Sequence, residues 1–370
     1  TQYQSQSLIR HIQQSWGFLN RELGEFIEIW PAGQRLGSHC YKGTADAVFQ
    51  NLARLDDYRP RYVLVLAADH VYRMNYGKLL EFHREMGAGV TVACHRVPAG
   101  EARQFGIMAV ERNEIRSFHE KPQCVATGAD ALASMGVYVF DANLLRELLT
   151  ADADCTDSRH DFGKDVIPAC VKASDIRVCA YPLRDPCTGG PGYWRDIGTV
   201  DAYWRANMEL LSPGHGLDIY DPQWPIWSMP DRSPPTRVLP QAEGLPTLVT
   251  RSIVGNGCQL SGAVVRGSIV CDNVRVRPGS VIEDSILLPG SRVGPGCRER
   301  RAMVEDNVAL PNDTWLGDDQ IPEAGLCEVS DNGITVLYEL DESRGRHRLD
   351  RSAERAWAVV APEEIARLQA

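Results

Sequence analysis

Up to about residue 210, short apolar runs alternate with amphipathic stretches. TADAVFQNLARL, YGKLLEFHREMGA and NLLRELL place apolar residues at helical spacing and predict helices. YVLVLAA, GVTVACHRV, FGIMAVE, EIRSFHEK and MGVYVF are short, apolar and β-branched or aromatic, and predict strands. Strands alternating with helices of this length predict an α/β domain with a mostly parallel sheet. Ligands of such sheets gather beyond the carboxyl ends of the strands. Asp69 stands at such an end, after the run Tyr62 to Ala67.

Residues 211–250 break this pattern. Eight of the 22 prolines fall there, and PQWPIW and RSPPTRVLP cannot continue a helix or a central strand. The stretch predicts an extended connector pinned by Trp224 and Trp227. From about 250 the apolar period becomes six: Val254 to Leu260, then Val270, Val276, Ile282 and Leu288, with GNG, SG, RPG, LPG and GPG between. Six-residue periodicity with intervening turns predicts a parallel β-helix, whereas an antiparallel β-domain would show a period of two. The hexads fade after Arg298. Hexad coils often belong to acyltransferases that use a histidine, but residues 250–330 contain none, so the coil reads as a packing or oligomer-forming module.

The chain has 370 residues and a net charge of −10, which argues against a general binder of nucleic acid or of membrane surfaces. An anionic substrate must therefore meet a local cluster of Lys and Arg. The 11 cysteines are odd in number and include no C-x-x-C pair, as expected of reduced thiols in a cytoplasmic protein. No apolar run approaches the ~18 residues that a membrane span needs.

Asp69 at a strand end can coordinate Mg²⁺, which favours carboxylate, water and phosphate oxygens. An Asp there is as often a turn residue, and it is Asp196 in YWRDIGTVDAYW that would turn it into a metal site. Asp196 could instead cap the following helix, although Thr199 suits that role better. In FHEKP, Lys121 beside Glu120 can reach a phosphate as a point charge, or can be half of a surface ion pair. GTADAV offers backbone N–H groups at a helix start, around Gly43 and Thr44, for an anion or a base edge. ASMGVYVF contributes the Ser134 hydroxyl and a close backbone approach at Gly136. HDFGKD packs His, Asp and Lys within residues 160–165.

In this order, GTADAV, LAADHVY, FGIMAV, FHEKP, ASMGVYVF, HDFGKDVIP and YWRDIGTVDAYWRANMEL, followed by a β-helix, resemble the bacterial ADP-glucose pyrophosphorylases (glucose-1-phosphate adenylyltransferases). The likeness runs from residue 1 to about 340, and YDPQWPIW and the opening Q-Y-x-S-x-S-L-x-R-H strengthen it. The resemblance implies a Rossmann-like nucleotidyltransferase domain over 1–210, a connector over 211–250, a left-handed parallel β-helix over 251–340 and a charged tail over 341–370. It implies transfer of AMP from ATP to α-D-glucose 1-phosphate in glycogen synthesis, by a cytoplasmic homotetramer using Mg²⁺. By matching motif, Asp69 and Asp196 hold the metal. Lys121 and Glu120 meet the sugar phosphate with Tyr41, Gly106 and Ser134. Gln34, Arg35, Gly43 and Thr44 lie near the nucleotide, and Gln2 and Cys40 fall in regulatory segments.

The sequence also departs from the family. Its Gly-rich phosphate loop is absent ahead of residue 1, so the chain is expected to be a fragment that is inactive alone. Ala68 replaces a glycine of LAGDH, and Cys40 and Asp57 stand where regulation is usually read. Two rivals remain: a sugar-1-phosphate nucleotidyltransferase using another nucleotide, and a non-catalytic regulatory subunit. Retention of Asp69, Lys121 and Asp196 speaks against the second.

Overall fold

A computed structural model of the protein describes residues 6–32, 41–123, 130–212, 214, 217–226, 228, 232–240, 246–317 and 327–338. Gln2, Gln34, Arg35, Cys40 and Trp227 lie outside them. Contacts divide the chain into two compact units, Thr1–Trp194 with Ile226–Met229, and Arg195–Pro225 with Pro230–Ala370.

The first unit begins with α1 (Gln6–Ser15), α2 (Thr44–Phe49) and α3 (Leu52–Asp57), then β1 (Tyr62–Leu66), β2 (His70–Tyr72), α4 (Tyr76–Glu85) and β3 (Val90–Val97). β4 (Gly106–Glu111), β5 (Glu114–Glu120), β6 (Ala131–Asp141), α5 (Ala142–Ala153), α6 (Ile167–Lys172) and β7 (Val178–Pro182) follow. Strand order is β1-β6-β3-β7-β5-β4, with β4 also touching β6. Successive side chains of β3 and β6 point to opposite faces. Val90, Val92, Cys94, Tyr138 and Phe140 meet Leu145, Leu149 and Ile167 on one side. Ala93, Val97, Val137 and Val139 meet Leu79, Met135 and Trp194 on the other.

The α/β architecture is as expected, but a mostly parallel sheet is not what forms. Among the described pairings of this sheet only β3–β7 is parallel; β1–β6, β3–β6, β4–β5, β4–β6 and β5–β7 are antiparallel. Two local features reverse the chain. Arg112 and Asn113, at φ 49° and 69°, make the two-residue turn that folds β4 back on β5. β6 then runs between β1 and β3 against both. A strand covered on both faces reads as a continuous apolar run whichever way its neighbours point, so the pattern could not show this. The helix predicted over TADAVFQNLARL is likewise two, α2 and α3, which break at Gln50 and Asn51.

In the second unit β8 (Trp194–Asp196), which starts on the last residue of the first unit, leads into α7 (Val200–Glu209). The rest is a three-faced coil of parallel strands. One face holds β9 (Arg237–Leu239), β12 (Gln259–Ser261), β15 (Arg275–Val276), β18 (Arg292–Val293) and β21 (Ala309–Leu310). A second holds β10 (Leu248–Thr250), β13 (Val264–Arg266), β16 (Val281–Glu283), β19 (Arg298–Arg300) and β22 (Trp315–Leu316). The third holds β11 (Ile253–Val254), β14 (Ile269–Val270), β17 (Ile286–Leu287), β20 (Ala302–Val304) and β24 (Thr335–Leu337), edged by β23 (Cys327–Val329) running antiparallel to β24. The coil strands therefore begin at Arg237, inside the proline-rich stretch.

Ile253, Ile269, Ile286 and Met303 stand in register, 16, 17 and 17 residues apart. A coil of three hexads would need about 18, so these coils run one or two residues short. That shifts one predicted core position: Leu287 is fully buried in the coil interior, and Leu288 instead joins the outer cluster with Tyr203, Trp204 and Met208 of α7. Val254, Leu260, Val270, Val276 and Ile282 keep the predicted places. A serine column ties the coils together, because Ser268 N–H donates to Ser252 Oγ, Ser285 N–H to Ser268 Oγ and Ala302 N–H to Ser285 Oγ, each at 3.1 Å. Leu287→Ala is expected to cost about 2–5 kcal/mol, as for other fully buried leucines. Leu288→Ala should cost clearly less, and chemical denaturation of the two variants checks the register.

Candidate active site

The end of β1 and the middle of β6 are locked by a glycine. Gly136 sits at φ 66°, and a Cβ there would lie 3.0 Å from Ala67 Cβ and 3.3 Å from His70 Cε1. Its carbonyl accepts the Ala67 N–H at 3.0 Å, and its own N–H donates to Ser134 Oγ at 3.3 Å. Asp69 is thereby presented outward with its side chain 62% exposed, and one carboxylate oxygen lies 3.5 Å from His70 Nε2. The His70 ring packs edge-on against Trp194 at 5.1 Å, and Phe105 packs edge-on against the same indole at 5.0 Å. Trp194 opens β8, so the chain reaches Asp196 two residues later, at most ~7 Å of extended backbone away. Asp196 accepts the Gly198 N–H at 2.7 Å, while Thr199 caps α7 through Ala202 N–H, the division of labour expected of this segment.

A second cluster forms at the end of β5. Gly106 of β4 is paired with Glu120, and a Cβ on Gly106 would fall 2.7 Å from Glu120 Oε2 and 2.4 Å from Phe118 Cζ. Gly163 closes the other side, its Cβ position 3.0 Å from the same oxygen. Burial pushes the Glu120 carboxyl above the ordinary range; Lys121 and Lys164 oppose this, and Asp161 adds to it. Lys121 takes φ 46° and donates its backbone N–H to Phe105 O at 3.1 Å, which turns the chain at the strand end. Glu120, Lys121, Arg159 and Lys164 line one cavity of about 770 Å³. A larger one of about 1080 Å³ lies by His95, Arg96 and Arg184 and contains none of the predicted site residues. The smaller cavity is the chemically better candidate, because three cations converge there on the half-buried Glu120 and on Asp165.

Tyr138 connects the two clusters. It is buried among Phe140 and Phe162, hydrogen-bonds with Ser134, and feels the charges of Glu120 and Asp161. Desolvation first, and those carboxylates after it, push its phenol up to about 12. The structure thus brings Gly106, Glu120, Lys121 and Ser134 into one region around Tyr138. Tyr41 lies on α3's approach, its hydroxyl accepting from Asn51 Nδ2 at 3.0 Å.

One expectation is corrected. The N–H groups at the start of α2 are not open to an anion, because those of Ala45 and Asp46 both point at His160 O, at 2.9 and 3.3 Å. Gly43 is required for that joint, since a Cβ would come within 2.3 Å of His160 O. Thr44 completes it, its hydroxyl donating to Asp161 Oδ2 and accepting from Phe162 N–H, both at 3.1 Å. GTADAV and HDFGKD are therefore two halves of one backbone joint, which the N-cap of Asp161, accepting from Gly163 and Lys164 N–H at 3.0 Å, holds in place. Lys164, Arg159 and Tyr138 are site residues that the motifs do not mark as such. HDFGKD carried a signal for Lys164, whereas nothing local marked the other two.

Gly106→Ala should destabilise the first unit by about 1–3 kcal/mol through overpacking against Phe118 and Glu120. Thermal unfolding beside Gly100→Ala, a position with open space around it, provides the control.

The nucleotidyl transferase family model matches residues 1–213, and the GlmU-like C-terminal hexapeptide model matches 234–337. A glucose-1-phosphate adenylyltransferase of Paramagnetospirillum magneticum is 46% identical over 347 residues, covering 91% of this chain and 80% of the relative. Those of Nitrosococcus oceani and Alkalilimnicola ehrlichii are 42% and 44% identical, each over 91% of this chain and 81% and 80% of their own lengths. No helix among the described residues is long and apolar enough to cross a membrane. The chain belongs to the glucose-1-phosphate adenylyltransferases, nucleotidyl transferases that carry a hexapeptide-repeat domain.

Proposed function

We propose that the chain transfers AMP from ATP to α-D-glucose 1-phosphate, releasing pyrophosphate and ADP-glucose, in glycogen synthesis. The observation that carries the reading is the convergence of Glu120, Lys121, Arg159 and Lys164 on one cavity, in a chain so similar to adenylyltransferases. Lys121 and its cationic neighbours neutralise the sugar phosphate and hold it for attack. Glu120, wedged between two glycines, accepts a sugar hydroxyl, and Ser134 and Tyr138 back that wall of the pocket. A phosphate oxygen of the sugar phosphate forms a bond to the α-phosphorus of ATP as the bond to the pyrophosphate oxygen breaks. No proton need move, so the rate rests on positioning and on charge neutralisation.

Asp69 and Asp196 would hold a divalent cation, Mg²⁺ in this reading. Their hard carboxylate oxygens suit it, and the pairing rests on the matching motifs. When bound, the cation neutralises the triphosphate and the charge that develops on the leaving pyrophosphate. Tyr41 is assigned to the sugar phosphate by motif, and Gln34, Arg35, Gly43 and Thr44 to the nucleotide, the last two as parts of the α2 joint and not as anion donors. Gln2 and Cys40 belong to regulation, and the enzyme is a cytoplasmic homotetramer.

Pyrophosphate release from ATP and glucose 1-phosphate with Mg²⁺ tests the reading, using this chain and the longest reading frame that contains it. Asp69→Asn and Asp196→Asn should each lower kcat by about 10²-fold or more. Lys121→Ala should raise KM for glucose 1-phosphate at least ~10-fold with a smaller change in KM for ATP. Faster release with UTP or dTTP would overturn the choice of nucleotide. No release from either folded protein would favour a regulatory subunit.

A further inference from the structure

The inward column of the second coil face reads Val249, Val265, Ile282, Glu299, Leu316. Four apolar residues and one carboxylate occupy the same slot of successive coils. Glu299 is 2% exposed, and neither carboxylate oxygen has a hydrogen-bond partner among the described residues. An ionised carboxylate cannot stay there without a partner; it neutralises instead.

Among the described residues, no charge on the surrounding strands compensates it. β16 and β22 flank β19 and present Ile282 and Leu316 inward. Arg298 and Arg300 on β19, Glu283 on β16 and Arg292 on β18 alternate to the outer side, where Glu283 pairs with Arg266 at 3.0 Å. The other interior residues around it, Leu287, Val293, Val304 and Leu310, are apolar. The titratable groups of this interior are the thiols of Cys258, Cys297 and Cys327, all pushed up by burial and therefore neutral.

We propose that Glu299 makes the coil domain proton-responsive: its carboxyl is neutral in the closed coil, and loss of that proton loosens the rung formed by β16, β19 and β22. Burial, as the sole cause, raises the carboxyl from 4.5 to about 8. The folded coil therefore holds a proton that the unfolded chain has already released, so the unfolded state binds fewer protons throughout that window. The stability this group confers is full below the unfolded value and declines as pH rises towards the folded one. The direction is opposite to that of a salt-bridged carboxylate, which is lost in acid.

Hydrogen exchange of the whole chain, corrected for intrinsic rates, tests this between about pH 6 and about pH 8.5. Opening of the β19 and β22 amides should rise at least ~10-fold across that range in the native protein and less than ~2-fold in Glu299→Gln, which cannot ionise. Should Glu299→Gln fail to fold, Glu299→Leu restores the apolar column; it should be flat with pH and better protected than the native chain at the alkaline end. A native slope that is itself flat, or one that either variant reproduces, overturns the proposal.

Discussion

A buried strand must have every backbone N–H and C=O paired, and β6 is where that constraint falls hardest. It pairs with β1, β3 and β4, and both of its faces are covered by core. A chain so bonded cannot shift, so whatever β6 carries is held rigidly. It carries Ser134, Gly136 and Tyr138, which lie between the turn that presents Asp69 and the glycine-walled seat of Glu120. The two ends of the site are therefore positioned by one element, with only short loops added at each end.

Glycines set the site at the points where two backbones or a backbone and a carboxylate must nearly touch. Gly106 and Gly163 leave room for Glu120, and Gly43 leaves room for the carbonyl of His160. In each case the missing methyl group is what permits the approach. The same joint explains why two separated motifs, GTADAV and HDFGKD, belong to one structure: the first supplies N–H groups and a hydroxyl, the second a carbonyl and a capping carboxylate.

The coil unit obeys a simpler rule. From β10 to β22 the chain returns to register after 16 or 17 residues, so every third strand repeats one environment. Ladder bonds, the serine column and a stacked apolar interior then recur without long-range contacts being needed. α7 covers the outer side of the third face through Tyr203, Trp204 and Met208, with Trp204 Nε1 donating to Asp284 O at 2.9 Å. Because each slot repeats, an exception is conspicuous, and Glu299 is one.

Much of this was legible in the residues. Apolar runs marked β1, β3 and β6, the period of six marked the coil from Val254 to Ile282, and Asp69, Glu120 and Lys121 stood at strand ends where ligands gather. These are local properties, decided by side-chain size, polarity and spacing within a few residues. Strand direction was not local: a strand buried on both faces has the same composition in either sense, so the mostly antiparallel sheet came from the turn at Arg112–Asn113 and the path of β6. The partner of the α2 N–H groups, Tyr138's place between Ser134 and Glu120, and the exchange of Leu287 for Leu288 were equally hidden. Each depends on which distant backbone arrives there and on one residue omitted from a turn. Local spacing and polarity settle which segments form strands, helices and coils and which side chains have the chemistry; the fold settles which of them meet, because a contact is a property of two segments and composition describes one at a time.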